Sequence, residues 1–141
     1  MEGLRPLPPN LPLGNFVISF LGGPAHPVSR CLSTGDSVGQ FRVIHAPGHT
    51  EGHSVLFREN DGVLIAGDVL ANINFVTGAV GLREPPHVFS TDWRQNRESV
   101  QIVLDLEPGV ICFGHGPPLE DMQKLRSFCR KLETNPPAVQ P

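Results

Sequence analysis

Residues Val43 to Phe57 read VIHAPGHTEGHSVLF, and the reading of this stretch governs the interpretation of the chain. The apolar run Phe41 to His45 has strand character and is halted at Pro47-Gly48, because proline fixes φ and glycine accepts turn conformations. A second strand is expected from Ser54 to Arg58. Between them lie His49 and His53. Their i, i+4 spacing is that of a helical zinc pair, but Gly48 and Gly52 disfavour a helix there. The two imidazoles therefore belong to a turn that leaves one strand and enters the next.

Downstream, a turn at Glu59 to Asp61 leads into a strand expected over Gly62 to Ala66. Its continuous apolar run, Val63, Leu64, Ile65 and Ala66, predicts a strand covered on both faces. It ends in Gly67-Asp68. Further on, Val110 to Phe113 is expected to be a buried strand ending in Gly114-His115-Gly116. Three strands thus finish in glycine-containing turns carrying metal-competent side chains, His49, Asp68 and His115. Side by side, with their turns at one edge, they would bring these three groups together. Spacing alone does not set strand order.

From Thr91 the period changes. Trp93, Val100, Val103 and Leu104 recur at helical spacing, Ser90, Thr91 or Asp92 can cap the start, and Pro108-Gly109 stops the helix. Trp93 is read as a core anchor of this helix. A second amphipathic helix is expected from about Leu119 to Glu133, with Met122, Leu125, Cys129 and Leu132 on one face. Cys112 and Cys129 are read as packing residues. A strand over Asn15 to Leu21 and a turn at Gly35-Asp36 complete a single domain over residues 15–133. It lies between a proline-rich leader, 1–14, and a disordered tail, 134–141.

The chain has 141 residues and a formal net charge of -3. That charge provides no broad positive field for nucleic acid. The apolar run Phe16 to Leu21 is far shorter than the ~20 residues that cross a bilayer, so no membrane span is expected. Cys31, Cys112 and Cys129 are odd in number, far apart and without a C-x-x-C pair, which suggests no disulfide framework and fits a reducing cytoplasm.

Several stretches together resemble one family. VIHAPGHTEGHSVLF is similar to the third motif of the metallo-β-lactamase superfamily, LIAGDVL (Leu64 to Leu70) to its fourth, and VICFGHGPP (Val110 to Pro118) to its fifth. STDWRQNRESV, Ser90 to Val100, resembles the helix start that members carry before the fifth motif. The likeness covers roughly residues 35–132 and implies an α/β fold: one half of an αβ/βα sandwich, mainly antiparallel, with two carboxyl-terminal amphipathic helices. It implies a small-molecule hydrolase in which a metal-bound hydroxide attacks an ester, thioester, lactone or amide. The implied cofactor is zinc, as one ion or a pair, with other divalent metals as substitutes. His49 would be a ligand of the first metal, His115 of the second, and Asp68 the carboxylate bridging both. His53 would stand behind the site and Thr50 would brace the His49 loop.

The family's second motif, H-x-H-x-D-H, has no counterpart in the chain. The six histidines include no pair two residues apart. In the family pattern that motif precedes the stretch matched by residues 28–45, so it is expected to fall before Met1. Each metal would then have two ligands here, fewer than the three that normally hold a catalytic zinc, and no general acid is evident. Roughly half of the sandwich would be missing, leaving an apolar sheet face open to association. Three readings follow: a hydrolase completed by an upstream half, a non-catalytic dimeric or interaction module, and a homodimer whose chains pool ligands. His26, His45 and His87 are read as surface or turn residues, with His87 a minor candidate for the substrate rim.

Overall fold

The computed structural model describes residues 27–134, and the compact unit that carries every strand and helix among them begins at Leu32. The expected leader, the strand at Asn15 to Leu21, His26 and the tail beyond Thr134 lie outside the described residues. Among the described residues, seven strands and two α-helices follow in the order β1 (Ser37–Val38), β2 (Phe41–His45), β3 (Ser54–Arg58), β4 (Val63–Gly67), β5 (Ala71–Ile73), β6 (Val80–Arg83), α1 (Trp93–Asp105), β7 (Val110–Phe113) and α2 (Met122–Thr134). A 3-10 turn at His87–Phe89 precedes α1. Among the described residues no helix is long and apolar enough to cross a membrane.

The main sheet has the order β1-β2-β3-β4-β7, antiparallel throughout except for the parallel pair β4 and β7. Because β3 runs against both β2 and β4, the carboxyl ends of β2, β4 and β7 reach the same edge. Side chains alternate across a strand, and one face carries Ile44, Val55, Phe57, Leu64, Ala66 and Ile111. These pack with Val100 and Val103 of α1 and with Leu125 and Cys129 of α2 in a single apolar cluster.

The opposite face carries the cross-strand row Val43, Leu56, Ile65, Cys112. Ile65 is 38% exposed, so β4 is not covered on both faces as its continuous apolar run suggested. A strand buried on one side only can still read as uninterrupted when its outward position is filled by isoleucine. The expected open apolar face is met at Ile65 and at Val38, which pairs with Phe41 at the sheet edge and is also exposed, while Leu56 and Cys112 are half-buried and Val43 is buried.

Capping explains both helix starts. Asp92 accepts hydrogen bonds from the backbone N–H groups of Arg94 at 2.9 Å and Gln95 at 3.1 Å, which fixes the first turn of α1. The second helix starts later than expected. Leu119 instead forms an isolated antiparallel bridge with Ile111, exchanging two 2.9 Å backbone hydrogen bonds, and Asp121 then accepts the Gln123 N–H at 3.1 Å. Leu119 is apolar on the right side for either role, so periodicity alone does not separate the two. Trp93 is another departure from expectation. It lies half-buried at the surface, with the His87 ring stacked 5.5 Å away and the Arg94 guanidinium 5.1 Å from its centroid.

Candidate metal centre

The shared sheet edge brings together the three side chains picked out by their turns. The Asp68 carboxylate lies between two imidazoles: Oδ2 is 3.8 Å from His49 Nε2, and Oδ1 is 3.6 Å from His115 Nε2. Both separations are too long for hydrogen bonds. They suit two ligands of one ion, because atoms each ~2.1 Å from zinc at the tetrahedral angle stand about 3.4 Å apart. Asp68 Oδ1 is buried and has no hydrogen-bond partner, although burying an acceptor without a partner costs free energy. A cation against that oxygen would satisfy it.

Each carboxylate oxygen faces a different imidazole, so the donors divide between two positions. This is why no group of three metal-competent side chains gathers around a single point among the described residues. The donors present fit half of the ligand set at each of two bridged positions. The His49, Asp68 and His115 side chains are 18%, 35% and 55% exposed in turn, so the cluster opens to solvent on the His115 side.

The His49 turn is held from both ends. Thr50 uses its backbone carbonyl as a brace, accepting from Gly48 N–H at 3.1 Å and His53 N–H at 3.2 Å. The amino end of α1 holds the same turn: Thr91 N–H donates to the His49 carbonyl at 3.0 Å, and Asp92 N–H to the Gly48 carbonyl at 2.8 Å. Ser90 Oγ lies 3.4 Å from His49 Nδ1, which leaves Nε2 toward Asp68. Deeper in the helix, Ser99 Oγ donates to the Pro47 carbonyl at 2.6 Å and Asn96 Nδ2 to the Val69 carbonyl at 3.0 Å. One helix thereby fixes the turns on both sides of the cluster. Asn96 and Ser99 were not singled out from the sequence, and the available signal was two polar residues on the apolar side of an amphipathic helix.

His53 stands behind the cluster. Its Nε2 accepts the Asp68 backbone N–H at 3.1 Å, which requires the proton, when the ring is neutral, to sit on Nδ1. The ring packs edge-on to His49 with centroids 6.0 Å apart. Burial, reinforced by the neighbouring His49, holds the His53 pKa below its ordinary value of 6.5. The unfolded chain therefore takes up a proton at this position before the folded one does, and stability present above pH 6.5 is lost as the pH falls through that value. The melting temperature of the protein in a metal chelator should drop between pH 7.5 and 5.5, and the drop should shrink in His53→Gln. An equal pH dependence in the variant would refute the assignment.

His45 lies outside the cluster, its Nε2 2.8 Å from the Glu51 carbonyl oxygen. His87 stacks on Trp93. Cys129 is buried in the core, and burial pushes its thiol up to about 11, in keeping with a packing role.

Comparison with known proteins identifies the family. The sequence model of the metallo-beta-lactamase superfamily matches residues 22–115. The chain belongs to that superfamily. It is 35% identical over 82 residues to the probable metallo-hydrolase YflN of Bacillus subtilis, covering 54% of this chain and 31% of that protein. It is 36% identical over 70 residues to the probable metallo-hydrolase YybB of the same organism, covering 50% of this chain and 30% of that protein. Among solved structures, a metallo-beta-lactamase family protein of Thermus thermophilus superposes with a TM-score of 0.54 at 30% identity over 79% of this chain and 37% of its own. TTHA1623 in a di-iron-bound form superposes with a TM-score of 0.55 at 26% identity, over 75% and 52%. The chain thus spans about a third of the two curated relatives' length.

Proposed function

We propose that this chain is the half of a metal-dependent hydrolase that carries the bridging carboxylate. In this reading His49 and Asp68 would hold a first divalent ion, and Asp68 and His115 a second. The observation that carries it is the Asp68 carboxylate set between two Nε2 atoms at 3.8 and 3.6 Å, with its Oδ1 buried and unpartnered. Superfamily membership and the metallo-hydrolase names of the relatives support it. When bound, such ions supply a water of lowered pKa and polarise a carbonyl.

The rest of the work falls to the chain's own side chains. Asp68 would supply the negative charge on which two cations depend. His53 holds the Asp68 backbone, and Ser90 orients the His49 ring. The substrate class is a cytoplasmic ester, thioester, lactone or amide. Zinc is the metal we favour on the nitrogen and oxygen donors, and the di-iron neighbour makes iron the comparison to run. With two donors at each position, a full set needs more ligands than Asp68, His49 and His115 offer. Another segment of the same protein or a second copy would supply them, as would the general acid.

The purified protein titrated with zinc should take up two ions, each more weakly than a site with three protein ligands. His49→Ala and His115→Ala should each abolish one of these and leave the other. Wild-type stoichiometry in both variants would overturn the assignment. The same samples tested against chromogenic esters and lactams separate a complete hydrolase from a metal-binding half. A second reading, an interaction module without catalysis, is favoured by the two-donor positions and predicts no zinc-dependent turnover in that assay.

A further inference from the structure

A second group of residues borders the cluster on the His115 side. The Phe75 ring packs edge-on against His115, with centroids 5.1 Å apart, yet Phe75 remains 53% exposed and Val76 94% exposed. Contiguous exposed apolar patches mark interaction sites or ligand-binding grooves.

The segment that carries them is tightly held. Asn74 Oδ1 accepts from Val76 N–H at 2.9 Å and Thr77 N–H at 3.1 Å, and the Asn74 and Ala79 backbones are joined at 2.8 Å. At its base, Asn72 N–H donates to the His115 carbonyl at 2.9 Å and Asn72 Nδ2 to the Pro117 carbonyl at 2.9 Å. The β5–β6 hairpin is therefore pinned to the His115 turn, and Phe75 is presented to solvent by a fixed turn beside the most open donor of the cluster. No charged side chain occurs from Asn72 to Leu82. A phosphorylated substrate would find no cation on this wall to pair with its charge.

We propose that Phe75 and Val76 form an apolar wall of the substrate site, and that the substrate is a neutral carboxylic acid derivative with an aliphatic or aromatic group next to its carbonyl. The inference rests on the hydrolase reading above, since it presumes that the carbonyl sits at the Asp68 cluster. The wall then lies beside the first atoms of the acyl group. It selects by apolar burial, which strengthens binding by about two- to fourfold per methylene covered.

The test is a titration of the isotopically labelled 141-residue chain with acetate, butanoate, hexanoate and inorganic phosphate, followed by amide resonances, with zinc present and after its removal. The carboxylates stand in for the product. Affinity should rise along the series, with the largest shifts at Phe75 and Val76, and phosphate should bind no better than acetate. In Phe75→Ala the rise along the series should collapse, so that hexanoate binds no better than acetate. Phe75→Leu should restore most of the rise, and Val76→Ser offers a second exposed position for the same reading.

Equal binding of acetate and hexanoate, or no binding of either, overturns the wall. So does an undiminished rise in Phe75→Ala accompanied by weaker zinc uptake, which would make Phe75 a positioning residue for His115. The hydrolase reading fails separately: acetate binding indifferent to zinc removes it, whatever the slope of the series.

Discussion

Replacing Asp68 with asparagine should abolish zinc binding at both positions at once, while the fold survives. Asp68 faces both imidazoles, and the exchange keeps its shape while removing the charge that two cations would share. The loss of affinity should exceed the ~10–100-fold that follows removal of a supporting partner. His53→Ala, which takes away the acceptor of the Asp68 N–H and the ring packed against His49 but no proposed ligand, is the natural comparison at that smaller scale. In metal-free protein the asparagine variant should melt no lower than the wild type, because a carboxylate oxygen that is buried without a partner costs stability. Calorimetric zinc titration and thermal melting check the two halves of this expectation. Retention of either ion at wild-type affinity would contradict the bridging role.

The second large effect is structural and sits one residue from a proposed ligand. Gly48 has φ of +124°, and a Cβ built there would lie 2.1 Å from Asn96 N and 2.4 Å from Asn96 Cα. Backbone atoms of α1 cannot yield as a flexible side chain would. Gly48→Ala combines left-handed strain with overpacking and should cost about 3–5 kcal/mol in urea unfolding. It should also displace the His49 turn from Asp92 and Thr91, so that any folded fraction binds less zinc. A fully stable Gly48→Ala protein would mean that the turn and the helix do not pack this closely. Gly114, where a Cβ would lie 2.3 Å from Asp68 Oδ1, is held to glycine by the site itself.

Both results bear on what the family's motifs are for. The glycine of the P-G-H turn admits the amino end of α1, and that helix end then fixes the backbone on both sides of the cluster through Ser99 and Asn96. Placement of His49 therefore depends on a segment more than forty residues downstream. A substitution in α1 far from His49 should reach the cluster through these hydrogen bonds.

The local reading of the sequence carried furthest where a strand is bounded by strong turn chemistry. β2 and β7 have the expected limits, as does β3, and α1 begins at one of its three expected caps. The short hairpin β5–β6 went unseen because Ala71-Asn72-Ile73 and Val80 to Arg83 are too brief and mixed to show a period. It matters, since it carries Phe75 to the edge of the cluster. Leu119 and Trp93 were misassigned for a related reason: an apolar residue at a helix boundary fits a core position, a bridge or a surface stack equally well until its neighbours are known.

Reading along the chain is enough to single out His49, Asp68 and His115 as candidates, because each follows a strand in a glycine-containing turn and the three turns together resemble one family's motifs. That they meet is a matter of tertiary structure. Strand order and direction are properties of pairing between distant segments, so only the assembled sheet could bring the ends of β2, β4 and β7 to one edge. The same holds for Asn96 and Ser99, whose partners are backbone carbonyls of other elements, and for the exposed aromatic ring beside His115.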